Sequence, residues 1–275
     1  MVSSPRSPRR HRSNLIALSF VVAAVAIAPK ASALEYYWRG GASDSWSDSN
    51  WDGWIDGSYF TSNNSYSDNV YFGSRGYFDY NGYVRRNDPL SVGSLNFSQG
   101  NWNISLEGLN LLNGAINVSS TSPQVDIHLD YGMSWGFGFD KGSFSPNVQE
   151  GSLLNIYGNV YGGGSLAKYG AGKLVITSPY NQERGSVIGG TDLFGGTLIT
   201  DNPINDYNIR PGTLLGFNIT TEQLRGDLNF PTKIYGQGSF VKSGNATLTF
   251  TDGVNYVGST IVEDGRLVMT APGFS

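Results

Sequence analysis

The chain has 275 residues, 15% of them charged, with 37 glycines and no cysteine. No disulfide framework or thiolate metal cluster is therefore available, and burial and backbone pairing must hold the fold. Eighteen basic side chains against 22 acidic ones give a net charge of −4, which argues against a nucleic-acid partner, since phosphate binding needs clustered Lys and Arg.

The first 33 residues read as a cleavable export signal. Arg6, Arg9, Arg10 and Arg12 make a basic start, and Leu15 to Ala28 is a nearly unbroken apolar run of fourteen residues. That run is shorter than the ~20 residues a membrane-spanning helix needs. Ala31-Ser32-Ala33 supplies the small-x-small pattern of a signal-peptidase site, which places cleavage before Leu34. With the leader's five basic residues set aside, 13 basic side chains face 22 acidic ones, a balance of −9.

Residues 34–90 are rich in aromatics: Tyr36, Tyr37, Trp38, Trp46, Trp51, Trp54, Tyr59 and Phe60 lie among Gly, Ser, Asp and Asn. Two readings fit. The end of a stacked fold has one face without a neighbour, and large rings with polar tips cover such a face. Alternatively, Trp46, Trp51 and Trp54 form a glycan-stacking surface. The cap is the reading adopted, together with first strands in the same stretch.

From residue 91 the pattern has period two, as expected of half-buried strands. Val92, Leu95 and Phe97 begin it. Ile104 and Leu106, then Leu109, Leu111 and Leu112, then Ile116 and Val118, and later Leu154, Ile156 and Val160 continue it. Glycine or asparagine separates the groups, and no capped 3.6-residue period appears. In Asp126-Ile-His-Leu-Asp130 the alternation puts Asp126, His128 and Asp130 on one face. Such a trio is a candidate divalent-metal site, but a solvent-facing polar strip beside inward Val125, Ile127 and Leu129 is the simpler expectation.

An internal repeat follows. Residues 162–177 align without gaps on residues 236–251: Gly162, Gly164, Ser165, Lys168, Gly170, Leu174 and Thr177 recur 74 positions later as Gly236, Gly238, Ser239, Lys242, Gly244, Leu248 and Thr251. A second half, from Gly189 to Leu198, matches Gly258 to Leu267 at a spacing of 69. Recurring turn glycines, with Leu174 and Leu248 pointing inward, predict coils that bury their apolar faces only by stacking on neighbours. Because Lys168 and Lys242 recur, they read as stacking elements that cap carbonyls or blunt strand edges and not as catalytic groups.

The two blocks (162–200 and 236–270) resemble the passenger-associated transport repeat of bacterial autotransporters. Trp38-Arg-Gly, Trp46, Asn50-Trp51 and Asp68-Asn-Val-Tyr-Phe-Gly73 resemble the openings of the same surface proteins. The resemblance implies an all-β chain forming a right-handed parallel β-helix, displayed on or released from a Gram-negative-type cell. It implies contacts with host or matrix glycans or proteins, and an outer-membrane translocator as partner. An outer-membrane barrel needs at least 8 strands of about 9–11 residues, and none is expected in this sequence.

The expected organisation is thus a signal peptide (1–33), an aromatic-rich cap with first strands (34–90) and a β-helix (91–275). The expected function is an exported, non-catalytic, structural or adhesin-like segment needing no cofactor. The enzymatic rival is a β-helical polysaccharide lyase or glycosidase built on Asp126, Asp130, Asp140 and Lys141, whose spacing is not diagnostic. A Ser-His-Asp hydrolase lacks its nucleophile motif.

Overall fold

The structure is a computed structural model that describes residues 35–38, 51–53, 68–73, 82–86, 90–129, 144–158, 160, 164–178, 190–201, 206–220, 228–230, 232–251 and 253–270. All lie in the compact unit Ser32–Ser275. Among them there are 23 strands and no helix. The short runs of Val, Ile, Leu, Phe and Thr broken by glycine form strands because β-branched and aromatic side chains pack well on a pleated surface.

Strands alternate between two sheets as the chain coils. The first sheet runs from the Trp51–Gly53 edge through Glu35–Trp38, Asn69–Phe72, Leu90–Phe97 and Leu109–Val118 to Asn147–Val148. Bridges Phe144↔Leu166 and Asn147↔Tyr169 carry it on to Leu166–Lys168, Thr191–Leu193, Tyr207–Ile209, Ile234–Gly236 and Val254–Tyr256. The second sheet stacks nine strands from Gly82–Arg86 to Thr260–Val262. Every pairing is parallel except that of Glu35–Trp38 with Trp51–Gly53. The fold is a β-solenoid. Its first sheet begins at the antiparallel edge, well ahead of residue 91.

Register shows how the core is built. Val84, Ile104, Ile127, Ile156 and Ile176 pair in one column of the second sheet. All five are buried. Their neighbours in the pleat, Trp102, Val125, Leu154, Leu174, Leu198, Leu215 and Phe240, form a second inward column. Burying each such side chain contributes about 1.5–3 kcal/mol, and each is buried by the coils above and below it. At the amino-terminal end Tyr36 and Trp38 are buried, and Phe72 stacks on Phe97 at 4.8 Å with Trp102 at 5.0 Å.

Coil length varies. Leu153, Lys173, Thr197, Leu214 and Ser239 share one column, so successive coils take 20 (153 to 173), 24 (173 to 197), 17 (197 to 214) and 25 (214 to 239) residues. The last of these makes room for a third sheet, Leu228–Phe230, Thr247–Phe250 and Arg266–Met269. Its appearance moves the second copy of the repeat. Leu166–Lys168 and Lys173–Thr177 belong to the first and second sheets, but their counterparts Ser239–Ser243 and Thr247–Phe250 belong to the second and third. The repeat has rotated by one face around the solenoid.

Candidate functional site

The repeated lysines occupy inward positions. Lys168 pairs with Leu193, which pairs with Ile209, so it stands in an apolar column of the first sheet. Lys242 pairs with Phe217 and Val262 in the second. Both side chains are fully buried, at 0% exposure. A buried ammonium is tolerated only if its donors are satisfied, and here they are. Lys168 Nζ donates to the carbonyls of Tyr169 and Gly170 at 2.7 Å each, and to Gly195 of the next coil at 3.1 Å. Lys242 Nζ donates to Ser243 at 2.8 Å, Gly244 at 2.5 Å and Asp264 of the next coil at 3.2 Å. Asp264 lies 69 positions after Gly195, so the two cages match atom for atom along the repeat.

Burial shifts both groups. Desolvation pushes the Lys168 ammonium down to about 8. Lys242 is also lowered by desolvation, and the Asp264 carboxylate opposes that shift. The glycines beside the lysines make the cages possible. Gly170 (φ +75°) and Gly244 (φ +74°) turn the chain in the left-handed region, where a side chain is strained. A Cβ on Gly170 would lie 2.2 Å from the Val148 carbonyl oxygen of the coil beneath, and one on Gly244 2.3 Å from that of Ile219. Gly236 and Gly238 also sit directly on the preceding coil, at Ile209 and Thr213. Leu174 and Leu248 are both fully buried. Gly164 is half-buried, and Gly162 lies outside the described residues.

Earlier corners satisfy their carbonyls with hydroxyls. Ser119 Oγ and Thr121 Oγ1 donate to the Ser98 carbonyl, Ser122 Oγ to Gly100 at 2.6 Å, and Ser152 Oγ to Ser119 at 2.8 Å. The ammonium at Lys168 thus takes over a task that serine and threonine perform in the preceding coils.

Asp126 and His128 lie on the outer face of the second sheet, half-buried, with Val125, Ile127 and Leu129 turned inward. The Asp126 carboxylate accepts Asn155 Nδ2 at 2.6 Å and Gln124 Nε2 at 2.8 Å. His128 stacks on Tyr157 at 4.4 Å, with the rings 8° apart. Both side chains are thus tied into cross-strand pairs. Asp130, Asp140 and Lys141 lie outside the described residues. Among the described residues no three His, Cys, Asp or Glu side chains gather as a metal site. Trp46 and Trp54 also fall outside the described residues, and Trp51 is placed by its backbone alone, opposite Trp38.

One surface escaped the reading from sequence. Tyr169 stacks on Phe194 at 4.8 Å with the rings 2° apart, and the Arg210 guanidinium lies 5.3 Å above the Phe194 ring. The three residues come from consecutive coils, and only the register brings them together. No family model, curated protein or solved structure matches the chain.

Proposed function

We propose that the chain is an exported, non-catalytic β-solenoid of the autotransporter-passenger type, serving as a surface or secreted structural and adhesin-like segment. The observation that carries this reading is the pair of matching lysine cages. The most distinctive side chains of the repeat are spent on joining one coil to the next, which is what a scaffold requires of a recurring motif. Export rests on the sequence of the leader, and the link to autotransporters on the repeat and the tryptophan-rich opening. Of the groups an enzymatic reading would use, Asp126 is engaged by Asn155 and Gln124, and Asp130, Asp140 and Lys141 lie outside the described residues.

The test is expression of the full chain in a Gram-negative host, followed by fractionation and amino-terminal sequencing. Export with a new terminus at Leu34, together with retention on matrix-coated surfaces, is the expected outcome. Retention in the cytoplasm with the leader intact would overturn the export reading. Release of unsaturated ends from acidic polysaccharides, abolished by Asp126→Ala, would overturn the non-catalytic one.

A further inference from the structure

Four of the six large apolar side chains exposed among the described residues, Tyr169, Phe194, Tyr235 and Val257, lie in or directly after strands of the first sheet. Two of these rings have their faces occupied. Tyr169 and Phe194 cover one another, and Arg210 covers the far side of Phe194. Tyr235 differs. Its register neighbours are Asn208 and Asn255, short amides in place of rings, and its side chain is 45% exposed. A ring that rises above amide neighbours offers a flat apolar platform beside hydrogen-bonding groups.

Arg210 follows the end of the strand Tyr207–Ile209, two residues beyond Asn208, the register partner of Tyr235. The acids of this face are already engaged: Asp192 accepts Asn208 Nδ2 at 2.8 Å, and Asp206 accepts the Lys233 amide at 3.1 Å. Arg210 is exposed, its guanidinium rests on Phe194, and it pairs with no carboxylate of the described residues. Its planar fork suits a carboxylate held by two parallel hydrogen bonds. A ring platform beside the Asn255 amide, with an exposed guanidinium at the end of the adjacent strand, matches a carboxylated sugar. The open sheet face, which carries Arg210, Tyr235 and Asn255 on successive coils, suits an extended chain.

We propose that this face, centred on Tyr235 and Arg210, binds an anionic polysaccharide through its uronate carboxylates. The inference rests on the adhesive part of the reading above and gives it a site and a ligand class.

The test uses the full mature chain, with polygalacturonate, neutral galactan and polyglutamate as probes. The expected result is that polygalacturonate is retained more tightly than galactan or polyglutamate. Arg210→Gln removes that preference, a loss of about tenfold or more for a charge-assisted contact. Tyr235→Ala weakens polygalacturonate and galactan alike. Both positions are exposed, and unchanged circular dichroism checks that the fold is kept. No retention of polygalacturonate, retention equal in both variants, or polyglutamate held as tightly would each overturn the proposal. Retention on matrix-coated surfaces separates the two ideas. If it survives in the double variant while polygalacturonate binding is lost, the adhesive reading stands and this site is not its cause. A wild type that binds polygalacturonate yet fails on every matrix surface keeps the site and overturns the adhesive reading.

Discussion

Lys168 and Lys242 lie on different sheets of the solenoid, yet each donates to two carbonyls of its own turn and one of the next coil. The cage is therefore a property of the strand–turn–strand unit and not of the face that carries it. In both copies the lysine follows an inward apolar residue by two positions (Leu166 before Lys168, Phe240 before Lys242), so the pleat directs it into the core. The tight turn then brings carbonyls within reach of the ammonium, and the third bond ties coil to coil.

Replacing Lys168 or Lys242 with methionine keeps the volume and removes the donors. Three turn carbonyls then lose their partner, at about 1–3 kcal/mol for each left unsatisfied. Relief from burying a charge offsets part of this. A net loss of about 2 kcal/mol is expected for each variant, read as a lower urea midpoint with an unchanged slope. A midpoint at or above that of the wild type would show that the cages contribute no stability.

The depressed lysine makes stability depend on alkaline pH. In the unfolded chain the Lys168 ammonium has its ordinary value of 10.5, and in the folded chain about 8. Between these values the unfolded state holds more protons, so unfolding free energy rises with pH. The penalty for burying the charge is fully present below pH 8 and is relieved as pH climbs towards 10. At ~1.4 kcal/mol per unit the rise is at most about 3 kcal/mol. Tyr71, Tyr157 and Tyr256, all raised chiefly by desolvation, act with the opposite sign above pH 10. Urea unfolding at pH 7, 8, 9 and 10 measures the effect as the difference between wild type and Lys168→Met, which cancels the general repulsion of an acidic chain. Parallel curves would refute the assignment.

The outer row at Asp126 gives a separate expectation. Its two oxygens accept amide donors from Gln124 and Asn155, and Asp126→Ala removes both contacts at a half-exposed site. The loss should be about 1 kcal/mol. Zinc added to the wild type should leave the melting temperature unchanged. A zinc-dependent rise that disappears in Asp126→Ala would restore the metal reading.

Much of this architecture is legible in the alternation of residues. Val125, Ile127 and Leu129 turn inward while Asp126 and His128 turn outward, because a two-residue period leaves no other arrangement once one face is buried. The recurrence of Lys168 as Lys242 marks a structural unit for a different reason: a stacking element repeats with its coil, whereas an active site is built once. What local pattern does not carry is the relation between coils. The coil from Thr197 to Leu214 takes 17 residues and the one from Leu214 to Ser239 takes 25, and that difference admits Leu228–Phe230 and turns the repeat onto a new face. Tyr169, Phe194 and Arg210 meet for a similar reason: their spacings in the chain, 25 and 16, carry no signal until the register is known. Tyr235 and Arg210 are 25 positions apart and unremarkable in sequence, and only the register puts them on neighbouring coils.

Two glycines with the same backbone angle separate conformational strain from stacking. Gly170 and Gly212 both have φ +75°, so alanine at either position meets the left-handed penalty of about 1–2 kcal/mol. Of the two, only Gly170 has a coil pressed against it, with a Cβ 2.2 Å from the Val148 carbonyl oxygen, 2.7 Å from the Val148 carbonyl carbon and 2.7 Å from Asn147 Oδ1. A Cβ on Gly212 would meet nothing within 4 Å. Gly212→Ala should therefore lower stability by about 1 kcal/mol, the backbone term alone. Gly170→Ala must also push two coils apart beside the Lys168 cage, and a loss of about 3 kcal/mol or more is expected, as for an overpacked core. Urea midpoints of the two variants decide the matter. Equal losses would mean that the turn angle alone explains the glycine of the repeat, and that close stacking of the turns contributes nothing to its choice.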